Sequence, residues 1–379
     1  MVRLNYDILN GLCVDRSIGS DGEEHILEYI KKEVEDLGIQ TVRERFPFCA
    51  AISERSELRF GKETLFCSAY PCTRDTGAVG VQGKLIYIPR ISDAEDTSIK
   101  QAIILTESDF NERCKKLLVA GSAAGVITYK KGRSQHDMPA CFLPQEPCSD
   151  LLTAIEICTT DAMRLLLSGV ETVKIVMQSR EQYFSTENLY ALLPGQDHSQ
   201  AIVICAHYDT VPLTTGAVDN LSGTLILLFL LEMLAGKTPK SDILFCWFGA
   251  EEWGCAGSRY FVNKAHNFTP QISCAINIDS ADCILGFDEL YYSCTNLQLL
   301  KRLLIPQTGL RTLNQIYGGD NRPFQAIGVD TLTFSRGGKL IDALMHTKDD
   351  TLQNAGITDH SLRCAAQRIL NIIYPIIFG

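Results

Sequence analysis

Residues 201–210 read Ala201-Ile202-Val203-Ile204-Cys205-Ala206-His207-Tyr208-Asp209-Thr210, and residues 216–223 read Gly216-Ala217-Val218-Asp219-Asn220-Leu221-Ser222-Gly223. The apolar run at 201–205 has the texture of a strand buried on both faces, and it stops abruptly at His207 and Asp209. A polar loop follows, then residues 221–234 form the apolar pattern of a buried helix. The same strand, loop, helix order recurs downstream. Apolar runs at 243–248, 273–278 and 331–334 alternate with helical patterns at 256–263, 297–304 and 359–374. Such alternation predicts an α/β fold, a three-layer α/β/α sandwich around a mostly parallel mixed sheet. In sheets of this kind, chemistry gathers beyond the carboxyl ends of the strands.

Working outward, Ser20 followed by Glu23 is a capping-box signature, and Ile26, Ile30, Val34 and Leu37 recur at helical spacing before Gly38. An extended segment is expected over 40–48. From 58 to 178 the texture changes to short strands at 84–88, 102–105, 125–129 and 172–177, with helices at 110–120 and 161–167. Turn residues such as Gly80, Gly83, Pro89, Gly132 and Pro139 punctuate it. The domain expectation is therefore a first segment of the main domain at 1–52, a smaller inserted α+β domain at 53–181, and the second segment of the main domain at 182–379.

A net charge of −10 offers no basic surface for phosphates, so a nucleic-acid partner is not expected. The longest apolar stretch, 225–231, is far short of the ~20 residues that cross a bilayer, so no membrane partner is expected either. The opening Met1-Val2-Arg3-Leu4-Asn5-Tyr6-Asp7 lacks the apolar core of an export signal. Of the fifteen cysteines, Cys205 and Cys246 lie inside apolar runs and read as small buried hydrophobes. Cys67 with Cys72, or Cys141 with Cys148, could pair under oxidising conditions. Reduced thiols in a cytoplasm are the expectation.

The strand ends carry the chemistry. The run at 201–205 leads into His207 and Asp209; the run at 243–248 into Glu251-Glu252; the run at 273–278 into Asp279. Asp219 sits in the loop before the apolar helix, and His346 in a loop before the last helix. Two imidazoles and three carboxylates form a nitrogen–oxygen donor set that suits Zn²⁺, with Co²⁺ or Mn²⁺ as substitutes. If one carboxylate is shared, two ions ~3.5–4 Å apart can act together on one water and one carbonyl.

These segments resemble metallopeptidase family twenty-eight, the co-catalytic zinc aminopeptidase family that also contains glutamate carboxypeptidase and glutaminyl cyclase relatives. The likeness rests on His-x-Asp at 207–209, Gly-Ala-x-Asp-Asn-x-Ser-Gly at 216–223, Glu-Glu-x-Gly-x-x-Gly-Ser at 251–258, the strand-end Asp279, and His-Thr-x-x-Asp-Thr at 346–351. It implies the zinc-peptidase fold and two Zn²⁺ ions. One would be bound by His207 and Asp279, the other by Glu252 and His346, with Asp219 bridging. It further implies that Asp209 orients His207, that Glu251 is the general base, and that the peptide bond after Asp219 is cis. The inserted segment resembles a protease-associated domain, on residues 84–89, 119–127 and 165–172.

Gly319-Asp320-Asn321 departs from the Ser-Asp-His that relatives often carry there. Asp320 and Arg322 are candidate substrate-binding residues, with a plain glycine-rich loop as the equal alternative. His25, His136, His198, His266 and His360 are assigned no role, and Trp253 is read as packing. The expected function is a zinc-dependent exopeptidase acting on peptides, an aminopeptidase first. A carboxypeptidase or dipeptidase of the same fold, a glutaminyl-cyclase-like transferase and a non-enzymatic scaffold stay open, as does a homo-oligomer.

Overall fold

The computed structural model describes residues 2, 4–70, 75–96, 98–108, 112–130, 152–265, 271–296 and 309–379. The helix expected at 297–304, Cys72, Cys141, Cys148, His136 and His266 lie outside these residues. Two compact units emerge: Met1–Phe48 with Phe184–Gly379, and Cys49–Tyr183. The chain passes from one to the other within strand β1 (Thr41–Phe60) and returns within a second long strand, Thr172–Leu193.

The unit at 49–183 begins with the end of β1 paired antiparallel to β2 (Glu63–Phe66). The two-residue β3 (Ser68–Ala69), then β4 (Val81–Tyr87), β5 (Ala102–Thr106), β6 (Gly125–Lys130) and β7 (Thr153–Cys158) follow. Strands β4 to β7 are parallel neighbours in chain order. Their side chains alternate between faces, as a pleat requires. Ile103, Leu105, Ile127 and Ile155 pack with Ala162 and Leu165 of the helix Thr159–Leu167. Ile104, Val126 and Ala154 face Cys114 and Leu118 of the helix Glu112–Ala120.

In the other unit the strand Thr172–Leu193, here β8, pairs antiparallel with β10 (Ser241–Phe248) through residues 189–193. Strands β9 (Asp197–His207), β10, β11 (Gln271–Ile278) and β14 (Asp330–Gly337) are parallel. The sheet order is β13-β12-β14-β11-β9-β10-β8, with β12 (Phe287–Ser293) antiparallel to β14 and parallel to β13 (Leu310–Leu313). This is the mixed, mostly parallel sheet that the alternation predicts. Ile202, Ile204 and Ala206 point to one face, where the helices Asp21–Asp36, Gly223–Leu234 and Asp359–Phe378 cover them. Val203 and Cys205 point to the other, against Phe261, Val262 and Phe324. Helix Gly223–Leu234 is buried from Gly223 to Leu231, so its apolar surface is consumed by the core between sheet and outer helices.

The capping box differs from its sequence form. Ser20 accepts the Glu23 N–H at 3.1 Å, but Glu23 Oε2 accepts from the Gly19 N–H at 2.6 Å instead of closing on Ser20. Its other oxygen accepts hydrogen bonds from the Thr186 and Tyr208 hydroxyls. The inward pull of those two hydroxyls explains the change.

Candidate active site

His207 is the last residue of β9, Asp279 follows β11 directly, and Glu251-Glu252 lies three residues past β10. These strands are adjacent and parallel, so their carboxyl ends open on the same side. Asp219 comes from the segment that opens helix Gly223–Leu234, and His346 from the loop after helix Lys339–Leu344.

The five side chains converge. His207 Nε2 stands 3.2 Å from Asp219 Oδ1 and 3.8 Å from Asp279 Oδ1. His346 Nε2 stands 3.1 Å from Asp219 Oδ2 and 3.2 Å from Glu252 Oε2. Two donor groups result, His207–Asp219–Asp279 and Asp219–Glu252–His346, and within each the ligand atoms lie within 4.8 Å of one another. The two oxygens of Asp219 face different histidines. Burial alone would make His207 less basic, yet Asp209, Asp219 and Asp279 outweigh it and hold its value well above the ordinary one. His346 is raised in the same sense by Glu252 and Asp219. Such a surplus of carboxylate around two imidazoles calls for a cation, and the nitrogen–oxygen donors fit zinc.

The backbone at this rim is held in unusual conformations. Ala250 (φ 59°), Ser280 (φ 52°) and His346 itself (φ 58°) are non-glycine residues in the left-handed region, each at or next to Glu251 or a donor. Each costs about 1–3 kcal/mol and persists only where the surroundings enforce it. The Asp219–Asn220 peptide is cis, as the family resemblance implies. The Asn220 side chain then spans the site. Its Nδ2 donates to the Ile278 carbonyl at 3.0 Å, while Oδ1 accepts from the Ser280 N–H at 3.0 Å and the Gly223 N–H at 2.9 Å. Asn220 thereby locks the Asp219 segment to the strand end that carries Asp279.

Asp209 is fully buried. His207 Nδ1 lies 3.2 Å from its main-chain oxygen and 3.5 Å from its carboxylate. That carboxylate also accepts the N–H groups of Glu251 at 3.0 Å and Glu252 at 3.3 Å. One side chain thus aligns an imidazole and the turn holding both glutamates. Glu251 is held well above the usual carboxylate range by desolvation; His207 opposes this, and Glu252, Asp320 and Asp279 add to it. Its Oε1 accepts from the Cys255 thiol at 3.4 Å. A Cβ at Gly319 would lie 2.7 Å from Asp279 Oδ2 and 3.4 Å from Glu251 Oε1, so the two carboxylates crowd one face of that glycine.

Asp320, a substrate-binding candidate in the sequence, has no exposed surface and accepts from Ser258 Oγ at 2.5 Å. Burial lifts its carboxyl to about 7. Arg322 is exposed. Trp253 is buried and packs on Phe48 and Phe184, with ring centroids 5.6 and 4.5 Å away. Two residues without a role in the sequence reading gain one. Asp350, inside the quoted His-Thr-x-x-Asp-Thr pattern, accepts the N–H groups of Val218 at 2.7 Å and Asp219 at 3.1 Å. Asn220 is equally visible in its motif; only its bonds to Ile278 and Ser280 at the end of β11 reveal its task.

Residues 188–373 match Peptidase family M28. That segment of the chain belongs to this family. Among M28 relatives, the aminopeptidase YwaD of Bacillus subtilis is 27% identical over 192 residues, covering 48% of this chain and 42% of its own length. A probable leucine aminopeptidase 2 of Arthroderma benhamiae is 24% identical over 277 residues, covering 66% and 51%. The chain thus spans about half the length of the curated relatives it matches. Among solved structures, a zinc aminopeptidase from Bacillus subtilis superimposes with a TM-score of 0.72 at 21% identity, covering 99% of this chain and 94% of its own. An aminopeptidase from Aneurinibacillus sp. strain AM-1 gives 0.70 at 19%, covering 99% and 93%. At these identities the superpositions establish the M28 fold.

Proposed function

We propose that this chain is a zinc-dependent aminopeptidase that removes N-terminal residues from peptides, with Glu251 as its general base and two zinc ions held through Asp219. The observation that carries the reading is the convergence of the two donor groups on the two oxygens of one aspartate, with Glu251 adjacent. His207 and Asp279 would hold one ion, Glu252 and His346 the other. Zinc bound there supplies Lewis acidity toward a peptide carbonyl and makes water more acidic. Glu251, with its raised proton affinity, takes a proton from the attacking water and returns it to the departing amine. Asp209 keeps His207 and the Glu251-Glu252 turn aligned while the proton moves.

The aminopeptidase names of the relatives support the exopeptidase assignment. Cys205, Cys246, Cys255 and Cys274 are buried free thiols, which supports the reading of a reducing, cytoplasmic setting. The unit at 49–183, with its parallel strands and flanking helices, is read as protease-associated-like.

The test is a panel of free and N-blocked peptides with the zinc-loaded protein and Glu251→Gln. Cleavage confined to substrates with a free α-amine is expected. Glu251→Gln should keep its zinc while kcat falls by about 10²–10⁴. Turnover of N-blocked peptides would assign a carboxypeptidase or dipeptidase instead, and a near-normal Glu251→Gln would remove the base.

A further inference from the structure

Arg16 is one of the largest side chains with no exposed surface. A buried guanidinium ordinarily meets a carboxylate. Here its five hydrogen bonds among the described residues all end on main-chain carbonyls. Nε donates to Tyr208 at 2.8 Å, Nη2 to Gly216 at 2.9 Å, and Nη1 to Thr215 at 2.7 Å, Val14 at 3.0 Å and Leu12 at 3.3 Å. Its own N–H donates to Thr210 Oγ1 at 3.1 Å. Tyr208, Thr210, Thr215 and Gly216 all belong to the loop that separates His207 from Asp219.

Asp350 grips the same loop from the other end. Its carboxylate takes the N–H groups of Val218 and Asp219, and its carbonyl oxygen accepts from the Ala217 N–H at 3.2 Å and from Thr215 Oγ1 at 2.6 Å. The Gly216–Ala217 peptide spans the two grips, its carbonyl on Arg16 and its N–H on Asp350. This one peptide unit joins the Arg16 guanidinium to the main chain of Asp350. Gly216 admits the arrangement because it takes φ 50°, and a Cβ there would stand 2.2 Å from the Asp219 carbonyl oxygen.

We propose that Arg16 is a positioning residue for the metal donors, acting with Asp350 as a two-sided clamp on the main chain between His207 and Asp219. Neither residue is itself one of the donors, and the proposal rests on the metal-site reading above. The planar fork of arginine satisfies carbonyls diverging from one point, which the single nitrogen of lysine cannot do. Without the fork, the loop opens and the spacing of the two donors widens.

The test uses the full chain carrying Arg16→Lys or Arg16→Met. Zinc affinity is measured by competition with a chromophoric chelator, beside the melting temperature of the metal-free protein. Arg16→Lys should lose about tenfold in zinc affinity and Arg16→Met about a hundredfold, the range seen for groups that orient ligands. Wild-type affinity in folded Arg16→Lys overturns the proposal. So does a lowered melting temperature with unchanged affinity per folded molecule, the signature of a merely structural arginine. If the arginine variants do not fold, Asp350→Asn probes the other grip. About a tenfold loss of affinity is expected there, and no loss overturns the clamp. Asp219→Asn serves as control: if it too binds zinc normally, the metal reading fails and not the clamp.

Discussion

The two donor groups share Asp219 but are built differently. In the first, His207 and Asp279 hang from adjacent strand ends, with side chains 1% and 6% exposed. The pairing of Cys205 with Asn277 fixes their separation two residues before each. In the second, His346 stands on a loop in the left-handed region with its side chain 38% exposed, and Glu252 is held through its own N–H by Asp209. The sheet sets one half and loops set the other. The lesson is that a symmetric-looking pair of sites can differ in rigidity, and the loop-built half should release its metal first.

The largest effect is expected where the asymmetry has no say. Asp219→Asn weakens both groups together, and kcat/KM should fall by ~10³ or more, with metal content dropping at both positions. Next, His207→Ala against His346→Ala sharpens the contrast. The first empties a fully buried position and strands its polar partners, costing about 1–3 kcal/mol of stability by thermal melting. The second should leave the melting of the metal-free protein nearly unchanged while one equivalent of zinc is lost from the loaded protein in dialysis. Equal melting and stoichiometry in the two variants would erase the difference. Asp209→Asn touches both halves indirectly, through His207 and through the glutamate turn, and should weaken zinc binding by about 10–100-fold.

The smallest expected effect lies beneath the first half, at Glu23. Burial lifts its carboxyl above the ordinary range, with the bonds from Thr186 and Gly19 opposing. A raised folded value means that the native state holds the proton more tightly than the unfolded chain. This contribution to stability is full below the unfolded value and is lost as pH rises through the folded one. Glu23→Gln should flatten that fall in a pH series of melting temperatures. An unchanged slope would assign the titration elsewhere.

The strand-built half was the more legible. A run such as 201–205 ending at His207 announces both a buried strand and where its chemistry sits, because position along a parallel strand determines which end a residue reaches. His346 had no such marker and rested on its motif alone. Strand β7 carries no plain signal because Glu156 interrupts its apolar run; that glutamate is buried and accepts a hydrogen bond from Tyr70. Nothing in the glycine-rich loop signals that Asp320 is buried; only the Ser258 contact shows that it turns inward. Arg16 was invisible for a related reason. Its partners are carbonyls, which every residue carries, so no pattern of side chains could reveal them.

The donors enter the chain at positions 207, 219, 252, 279 and 346, and they meet only when the strands between them have paired. Ions held by these two groups are therefore ligands of the folded state alone. Mass action then ties the metal supply to survival of the chain, with every tenfold excess over the dissociation constant adding about 1.4 kcal/mol against unfolding. In a metal-poor cell the protein would be idle and also easier to unfold, so its abundance would track zinc before its synthesis did.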